Sequence, residues 1–391
     1  MTRLLAFLML VIATIGASPA DAGTCTAVNQ FNFTFASQAA ANLAYGSSYN
    51  YTATTSGGGS RAFTMQLTQN GLASTTVNGT QLPAISTLIT GTDTTLRDLV
   101  LGGIFGGRTA SITGTTNVVT ATFTFAVPIR DFTMTVHDID FAANQYRDLI
   151  QVTGVGSAVT YTPALSSPAG NNNGSGSRTA AASSLSFGPV ATPTTITAAQ
   201  AVGVGASDNN SNDGTITASF AQPVTTVTVR YGNAPYTSGE NTTGQQGIGI
   251  AGISFCPMPQ LTVTKSSSPM SGTFGAYNLP GNDVLYTLTV TNSGASPVDA
   301  SSIVLTDILP TGITFRNTAL APSSTPFSIV AGSSGVALSA SSPAYSNNGG
   351  STYTYTPASG YDANVSAVRV TPTGTMAANS SFAITFVARI N

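Results

Sequence analysis

The run Val119-Thr-Ala-Thr-Phe-Thr-Phe-Ala-Val127 alternates apolar side chains with three threonines and an alanine. Since neighbouring residues of a strand point to opposite faces, this is the pattern of a strand with one face on a core. Residues 226–231 repeat the alternation, and no run with a helical period follows the first 22 residues. The sequence therefore predicts an all-β protein.

The N-terminal segment has the organisation of a secretory signal peptide. Arg3 precedes an apolar run over residues 4–15, and small residues then lead to Ala20-Asp-Ala22. A basic start, a short apolar stretch and a small-x-small site predict export, with cleavage before Gly23. The run is shorter than the about 20 apolar residues that cross a bilayer. We expect residues 1–22 to be a signal peptide, and the mature protein to be secreted or on the outer cell surface without a membrane span.

The sequence contains two cysteines, Cys25 and Cys256. In an oxidising compartment an even, sparse pair predicts a single disulfide. It would close a loop of about 230 residues, for which the chain-entropy model gives roughly 5 kcal/mol at most. The alternative for Cys25 is lipid attachment after signal cleavage, although residues 22–24 lack the aliphatic residue expected there. The pair marks the two ends of a first domain, residues 23–256.

Charged residues are scarce: the chain has 12 Lys and Arg, 14 Asp and Glu, and one His. So few basic groups cannot neutralise many phosphates, and the composition therefore argues against nucleic-acid binding. Low charge can also indicate disorder, but hydrophobic residues make up 41% of this chain, which is enough to bury a core. Thr, Ser, Asn and Gly must then provide the solvated surface, which suits strands and turns.

A second domain is predicted after Pro257-Met-Pro259, because neither proline can donate a hydrogen bond to a sheet. Residues 257–260 are therefore predicted as the linker. Beyond it, residues 284–290 and 382–390 alternate apolar and polar side chains. Strands of this kind with regular turns predict an immunoglobulin-like β-sandwich over residues 261–391.

The first domain is predicted to close with the strand of residues 248–255. The apolar phase shifts within this run, so a bulge is expected at Ala251-Gly252. The run gives residues 23–256 a loose resemblance to the jelly-roll modules of adhesins and carbohydrate-binding proteins. The resemblance implies an N-terminal jelly-roll-like β-sandwich.

A family resemblance in the second domain rests on three blocks: Leu261-Thr-Val-Thr-Lys265, Gly281-Asn-Asp-Val-Leu-Tyr-Thr-Leu-Thr-Val-Thr-Asn-Ser-Gly294 and Val304-Leu-Thr-Asp-Ile-Leu-Pro-Thr-Gly-Ile-Thr-Phe315. In order and spacing they resemble the bacterial surface repeat catalogued as domain of unknown function eleven. The resemblance implies a sandwich used as a stalk or display module in cell-wall, outer-surface or secreted proteins. Independently of the family, Asn292-Ser-Gly294 predicts a turn that tolerates positive φ, and Pro310-Thr-Gly312 predicts the end of a strand.

The segment most able to carry chemistry is residues 132–141, where an unbroken strand would turn Asp138 and Asp140 toward the core. Two unpaired carboxylates there would each cost several kcal/mol of desolvation, so something must compensate them. Three alternatives remain open. The strand bulges and turns its other apolar residues inward, or Asp138, Asp140 and Asp148 hold a cation, or Arg147 supplies the counter-charge. Because every candidate ligand is an oxygen, the cation would be calcium.

Two further segments contain residue types that are used in metal binding or catalysis. Residues 208–214 alternate Asp and Asn before a glycine, which resembles a calcium loop but is also a common turn composition. His137 is the only histidine, and no nucleophile-elbow motif accompanies it. We therefore predict no enzymatic activity, with a secreted hydrolase as the least favoured alternative.

Carbohydrate stacking is the remaining binding chemistry that the sequence offers. Tyr236, with Glu240 close by in the chain, is the candidate ligand-binding pair, whereas Tyr231 is expected to be core. The sequence thus predicts a non-catalytic bacterial structural or adhesive protein, whose partners are cell-surface or extracellular matrix components. The alternative is a calcium-assisted carbohydrate-binding module with a polysaccharide partner.

Overall fold

The computed structural model of the chain describes residues 29–109, 111–142, 145–167, 176–179, 199–234, 244–272, 275–294 and 296–391. The chain divides into two compact units between Pro257 and Met258. The predicted signal peptide and Cys25 lie outside the described residues. No helix within the described ranges is long and apolar enough to cross a membrane.

The first unit is built from strands, joined by one 3-10 turn at Phe35–Ser37. The strands of its N-terminal half are β1 (Phe31–Thr34), β2 (Ala41–Asn42), β3 (Ser48–Thr54), β4 (Ser60–Asn70), β5 (Leu72–Ser74), β6 (Thr76–Val77), β7 (Thr80–Gln81), β8 (Ala84–Ser86), β9 (Asp98–Phe105) and β10 (Val118–His137). Those of its C-terminal half are β11 (Phe141–Ala142), β12 (Tyr146–Gly156), β13 (Val159–Tyr161), β14 (Ala164–Ser166), β15 (Gly176–Thr179), β16 (Gln200–Gly205), β17 (Ile216–Phe220), β18 (Val224–Asn233) and β19 (Gln245–Pro257).

Strand β10 changes its pairing partners along its length. Its first half pairs antiparallel with β4 on one side and β18 on the other, and its second half pairs with β17 and β19. The register against β18 shifts between Thr124 and Ile129, a stretch in which Pro128 can donate no ladder hydrogen bond. A positive φ of 52° at Asp131 follows. This irregularity separates the two halves of the strand, which pair with different partners.

Aromatic side chains from several strands fill the core of the first unit. Phe123 and Phe132, from the two halves of β10, are fully buried, as the alternation predicts. The ring of Phe125 lies 4.9 Å from that of Phe255 in an edge-to-face contact, a geometry that aromatic quadrupoles favour. The arrangement is consistent with a β-sandwich.

The bulge predicted in β19 is confirmed. Thr135 of β10 pairs with Gly252, whereas its neighbour Val136 pairs with Ile250, so Ala251 is the extra residue. The extra residue corrects the alternation of the strand, because Ile250 and Ile253 can then both face the core.

The second unit consists of two antiparallel sheets. Its strands are β20 (Leu261–Pro269), β21 (Asp283–Asn292), β22 (Leu305–Ile308), β23 (Ile313–Asn317), β24 (Phe327–Val330), β25 (Pro343–Ser346), β26 (Gly360–Asp362), β27 (Ala367–Val370) and β28 (Ser380–Ile390). One sheet runs β20-β21-β28-β23-β26, with β24 also on β28, and the other runs β22-β27-β25. The rings of Phe315, Phe327 and Phe386 meet in the core of this unit.

The turns of the second unit differ in part from expectation. Gly312 has a φ of 86°, in the region that favours glycine at the end of a strand. Gly294 is not among the residues with positive φ; a Cβ there would lie 2.6 Å from the carbonyl oxygen of Met258. Glycine is therefore required at this position by close backbone approach. The same contact shows that residues 258–260, predicted as linker, pack against the second unit.

The prediction of an all-β protein is thus confirmed by the described residues, whose only helical segment is the 3-10 turn. Several sheets pack on two cores, as β-sandwiches require. The finer assignments, a jelly-roll strand order in the first unit and an immunoglobulin-like order in the second, stay predictions.

Candidate binding site

The carboxylates singled out in the sequence lie where β10 ends. The strand stops at His137, and Asp138 has a φ of 65°, which breaks the alternation of faces. Ile139 then enters the core with no exposed surface, whereas Phe141, which the bulge alternative also turned inward, is only half-buried. Asp138 and Asp140 are nevertheless buried as well, 5% and 2% exposed. The turn therefore buries the apolar residue without returning either carboxylate to solvent.

Asp148, on β12, is the most completely buried of the three carboxylates. Its Oδ1 accepts hydrogen bonds from the hydroxyl of Tyr231 at 2.6 Å and from Nε2 of Gln246 at 3.0 Å. Its Oδ2 accepts one from the backbone N–H of Asp140 at 3.1 Å. Both oxygens are thus engaged by neutral donors, and Asp148 fixes the backbone at Asp140.

A second acidic segment joins the site from the loop before β17. The backbone N–H of Ser207 donates to Oδ2 of Asp140 at 2.9 Å, and that of Ile139 donates to the carbonyl of Gly214 at 2.9 Å. Asp208 follows Ser207 directly, and its carboxylate raises the pKa of both Asp138 and Asp140. The two oxygen-rich segments are distant in the sequence, but in the structure they form one cluster.

Burial and mutual repulsion disfavour the charged forms of these carboxyls. Burial, then the charges of Asp140 and Asp208, raise the pKa of Asp138 well above its usual range. Burial raises the pKa of Asp140 to about 6, although hydrogen bonds from Ser207 and Tyr146 oppose the shift. Burial and the charge of Asp140 likewise raise the pKa of Asp148. Binding of a cation or of a proton to the cluster is therefore favoured.

Two carboxylate oxygens of the cluster have no partner. Oδ1 of Asp138 and Oδ1 of Asp140 are buried and accept no hydrogen bond. Within the described ranges, however, no group of three or more His, Cys, Asp or Glu side chains is arranged to hold a metal ion. The predicted set of Asp138, Asp140 and Asp148 is thus brought close together, while the calcium ligand set stays a prediction.

A polar pocket of about 460 Å³ opens beside Asp138. Its walls include Tyr146, Asn209 and Gln246, and exposed amide side chains stand at its margin. Oε1 of Gln246 is buried without a hydrogen-bond partner, like Oδ1 of Asp138. Asp138 and Gln246, which carry these two unsatisfied acceptors, thus both line the pocket beneath a rim of amides.

The single histidine is engaged elsewhere. Nδ1 of His137 lies 2.7 Å from Oδ2 of Asp98, which is itself buried. A Cβ on Gly91 would lie 3.0 Å from Nε2 of His137, so the other ring nitrogen faces a backbone without a side chain. Among the described residues no hydroxyl group forms a hydrogen bond with His137.

The remaining predicted residues differ in outcome. Tyr236 and Glu240 lie outside the described residues. Tyr231 is fully buried against Phe105, with ring centroids 5.5 Å apart, so the expectation that it belongs to the core is confirmed. The guanidinium of Arg147, a candidate counter-charge, lies 4.6 Å above the ring of Phe141.

Sequence reasoning missed the residues that reach the cluster from other strands. Gln246 lies 98 positions from Asp148 and Ser207 lies 67 from Asp140, so no local pattern connects them. Tyr146, at the start of β12, interacts with Asp140 through its hydroxyl. Its alternation with Asp148 along β12 was the one signal in the sequence that could have indicated this.

Comparison of the chain with protein-family models, with curated proteins and with solved structures found no match.

Proposed function

We propose that the chain is an exported, non-catalytic bacterial surface protein with a structural or adhesive role, and that the polar pocket of the first unit is its binding site. The observation that carries the proposal is the pair of unpaired buried acceptors, Oδ1 of Asp138 and Oε1 of Gln246. A buried acceptor without a donor costs about 1–3 kcal/mol, so a ligand that brings donors recovers that free energy.

A polysaccharide is the partner that this chemistry favours. Sugar hydroxyls donate to carboxylate and amide oxygens and also accept from amide N–H groups, and both kinds of group line the pocket. Tyr146 adds a ring at the wall. The second unit then serves as the stalk or display module, in keeping with its two packed sheets and the resemblance of its sequence blocks.

Binding to a panel of soluble neutral glycans tests the pocket. Gln145 lines it, is exposed and uses its side chain for no described hydrogen bond, so Gln145→Ala should weaken binding about tenfold without changing stability. Gln66→Ala, an exposed glutamine on β4 outside the pocket, is the matched control. If no glycan binds, or if both variants bind like the parent, the pocket is not the binding site.

Export and attachment are tested separately. Fractionated cells should contain the mature chain, beginning at Gly23, in the medium or on the outer surface. Recovery of the full chain with its first 22 residues in the cytoplasm would contradict the proposal.

A further inference from the structure

Asp138 and Asp140 form a buried acidic pair without a compensating charge. Both are more than nine-tenths buried, and each has an Oδ1 atom without a hydrogen-bond partner. No ion pair between described residues includes either carboxylate. Neighbouring buried carboxylates without a cation are strongly unfavourable when ionised, so the pair calls for a positively charged partner.

The loop of residues 207–209 brings further oxygen atoms to the same place. Ser207 holds Oδ2 of Asp140 through its backbone N–H, and its hydroxyl donates to the carbonyl of Asp208. Asp208 adds a third negative charge from the exposed side. Asn209 lines the pocket with Asp138 and uses its amide nitrogen for the carbonyl of Leu88, at 3.0 Å.

We propose that Asp138 and Asp140 bind a calcium ion through their buried Oδ1 atoms, with neutral oxygens of residues 207–209 and water from the pocket completing its shell. Calcium takes six to eight oxygen ligands, of which backbone, hydroxyl, amide and water oxygens can be several. Two carboxylates are therefore sufficient anionic ligands, and a group of three is not required. His137 is engaged with Asp98, so the donor set contains no nitrogen that would suit zinc.

Asp148 has a different role from the one predicted in the sequence. Its oxygens accept three hydrogen bonds from Tyr231, Gln246 and the backbone of Asp140. It is a positioning residue that holds the ligand turn in place. Loss of either proposed ligand should therefore weaken calcium binding more than replacement of Asp148 by asparagine.

Bound calcium would join the end of β10 to the loop before β17. These segments already meet through Ile139 and Gly214, whose backbone hydrogen bond is 2.9 Å long. The ion would neutralise the charges that oppose this contact. Asp138 lines the pocket and Asp140 does not, so Asp140→Asn separates loss of the calcium site from loss of glycan binding.

Terbium luminescence and thermal unfolding of the mature chain test the site. The chain has no tryptophan, so excitation near 280 nm reaches terbium mainly through tyrosine, and Tyr146 is hydrogen-bonded to Asp140. We expect sensitised emission that calcium displaces. Calcium at about 100 times its dissociation constant should raise the unfolding midpoint of the first unit by roughly 5–10 °C.

The double variant Asp138→Asn with Asp140→Asn should lose at least about 100-fold in affinity for both ions. Asp131→Asn, which changes an exposed aspartate of the same unit, is the control and should bind like the parent. If the double variant does not fold, Asp140→Asn alone is measured, with the calcium-induced rise in midpoint as the readout. Absence of terbium emission from the parent, or a calcium response that survives both substitutions, would overturn the proposal.

Discussion

Asp307 in the second unit is a buried carboxylate that depends on one lysine. Nζ of Lys265 lies 2.7 Å from its Oδ1 and 4.6 Å from the ring centre of Tyr286. Asp307 is 2% exposed, and its Oδ2 accepts no hydrogen bond. Burial raises its pKa, although Lys265 opposes the shift. The attraction thus offsets only part of the desolvation cost.

Lys265→Met should destabilise the second unit by about 3 kcal/mol, because it leaves a buried charge without a partner. Asp307→Asn should destabilise the second unit less than Lys265→Met does, since the lysine that loses its partner is partly exposed and can be hydrated. Urea denaturation of the two single variants and the double variant measures the coupling between the residues. Additive effects would show that the contact contributes nothing to stability.

The same pair predicts a pH dependence. Because the pKa of Asp307 is raised on folding, its contribution to stability is fully present below the unfolded pKa, near about 4, and is lost as pH rises through the folded pKa. Relative to the parent, Asp307→Asn should therefore gain stability as pH is raised from about 3.5 to about 7. Urea midpoints at several pH values measure this difference, and a constant difference would contradict the expectation.

Tyr231→Phe tests the hydrogen bonds around Asp148 in the first unit. The substitution removes the hydroxyl that donates to Oδ1 of Asp148, so we expect a loss of about 2 kcal/mol in the free energy of unfolding. Tyr161→Phe removes a hydroxyl for which no hydrogen bond is described, and it should change stability by less than about 0.5 kcal/mol. Equal effects of the two substitutions would show that the Asp148 contact is not stabilising.

The acidic cluster shows how far single residues could be predicted. Asp138, Asp140 and Asp148 lie close together in the structure, as they do in the chain, but their grouping as metal ligands stays a prediction. The division of roles between them was not predictable, since Asp148 is satisfied by residues of β18 and β19. Asp208 was assigned to a turn because nothing in its own segment indicates which loop it will face.

At the scale of elements, the bulge in β19 keeps two different pairings in register. Residues before Ala251 pair with β9, and those after it pair with β1. Deletion of Ala251 would turn Ile253 and Phe255 to the opposite face, because the side-chain period of a strand is two. We expect the deletion variant to lose cooperative thermal unfolding of the first unit, as followed by circular dichroism.

Ala251→Ser keeps the length of the strand and is the control for this deletion. It should unfold within about 0.5 kcal/mol of the parent, since Ala251 is only half-buried. A deletion variant that unfolds as cooperatively as Ala251→Ser would show that the register can slip without cost.

At the scale of the whole molecule, strand content was predictable and strand order was not. Alternation predicts which face of a strand is buried, and this prediction is confirmed for β10, β21 and β28. Pairing partners depend on which faces meet across the core, and several strands of similar length present nearly the same threonine-rich pattern. The change of partners along β10 coincides with Pro128 and with the positive φ of Asp131, which period-two reasoning does not detect.

The surroundings of Cys256 bear on the predicted disulfide between Cys25 and Cys256. Cys256 is fully buried at the end of β19, and Phe31 pairs with its neighbour Phe255. Cys25 lies six positions before Phe31, a reach of up to about 20 Å for an extended chain. This reach is compatible with the predicted bond, which stays a prediction because Cys25 lies outside the described residues.

Intact mass of the mature chain, with alkylation before and after reduction, measures this bond. We expect no alkylation without a reductant and two alkylated thiols after it. Reduction should lower the unfolding midpoint of the first unit and leave that of the second unchanged, because the closed loop lies wholly within the first unit. A mass increase at Cys25 that corresponds to a lipid would instead show that this residue anchors the protein, and a thiol alkylated without reduction would exclude the disulfide.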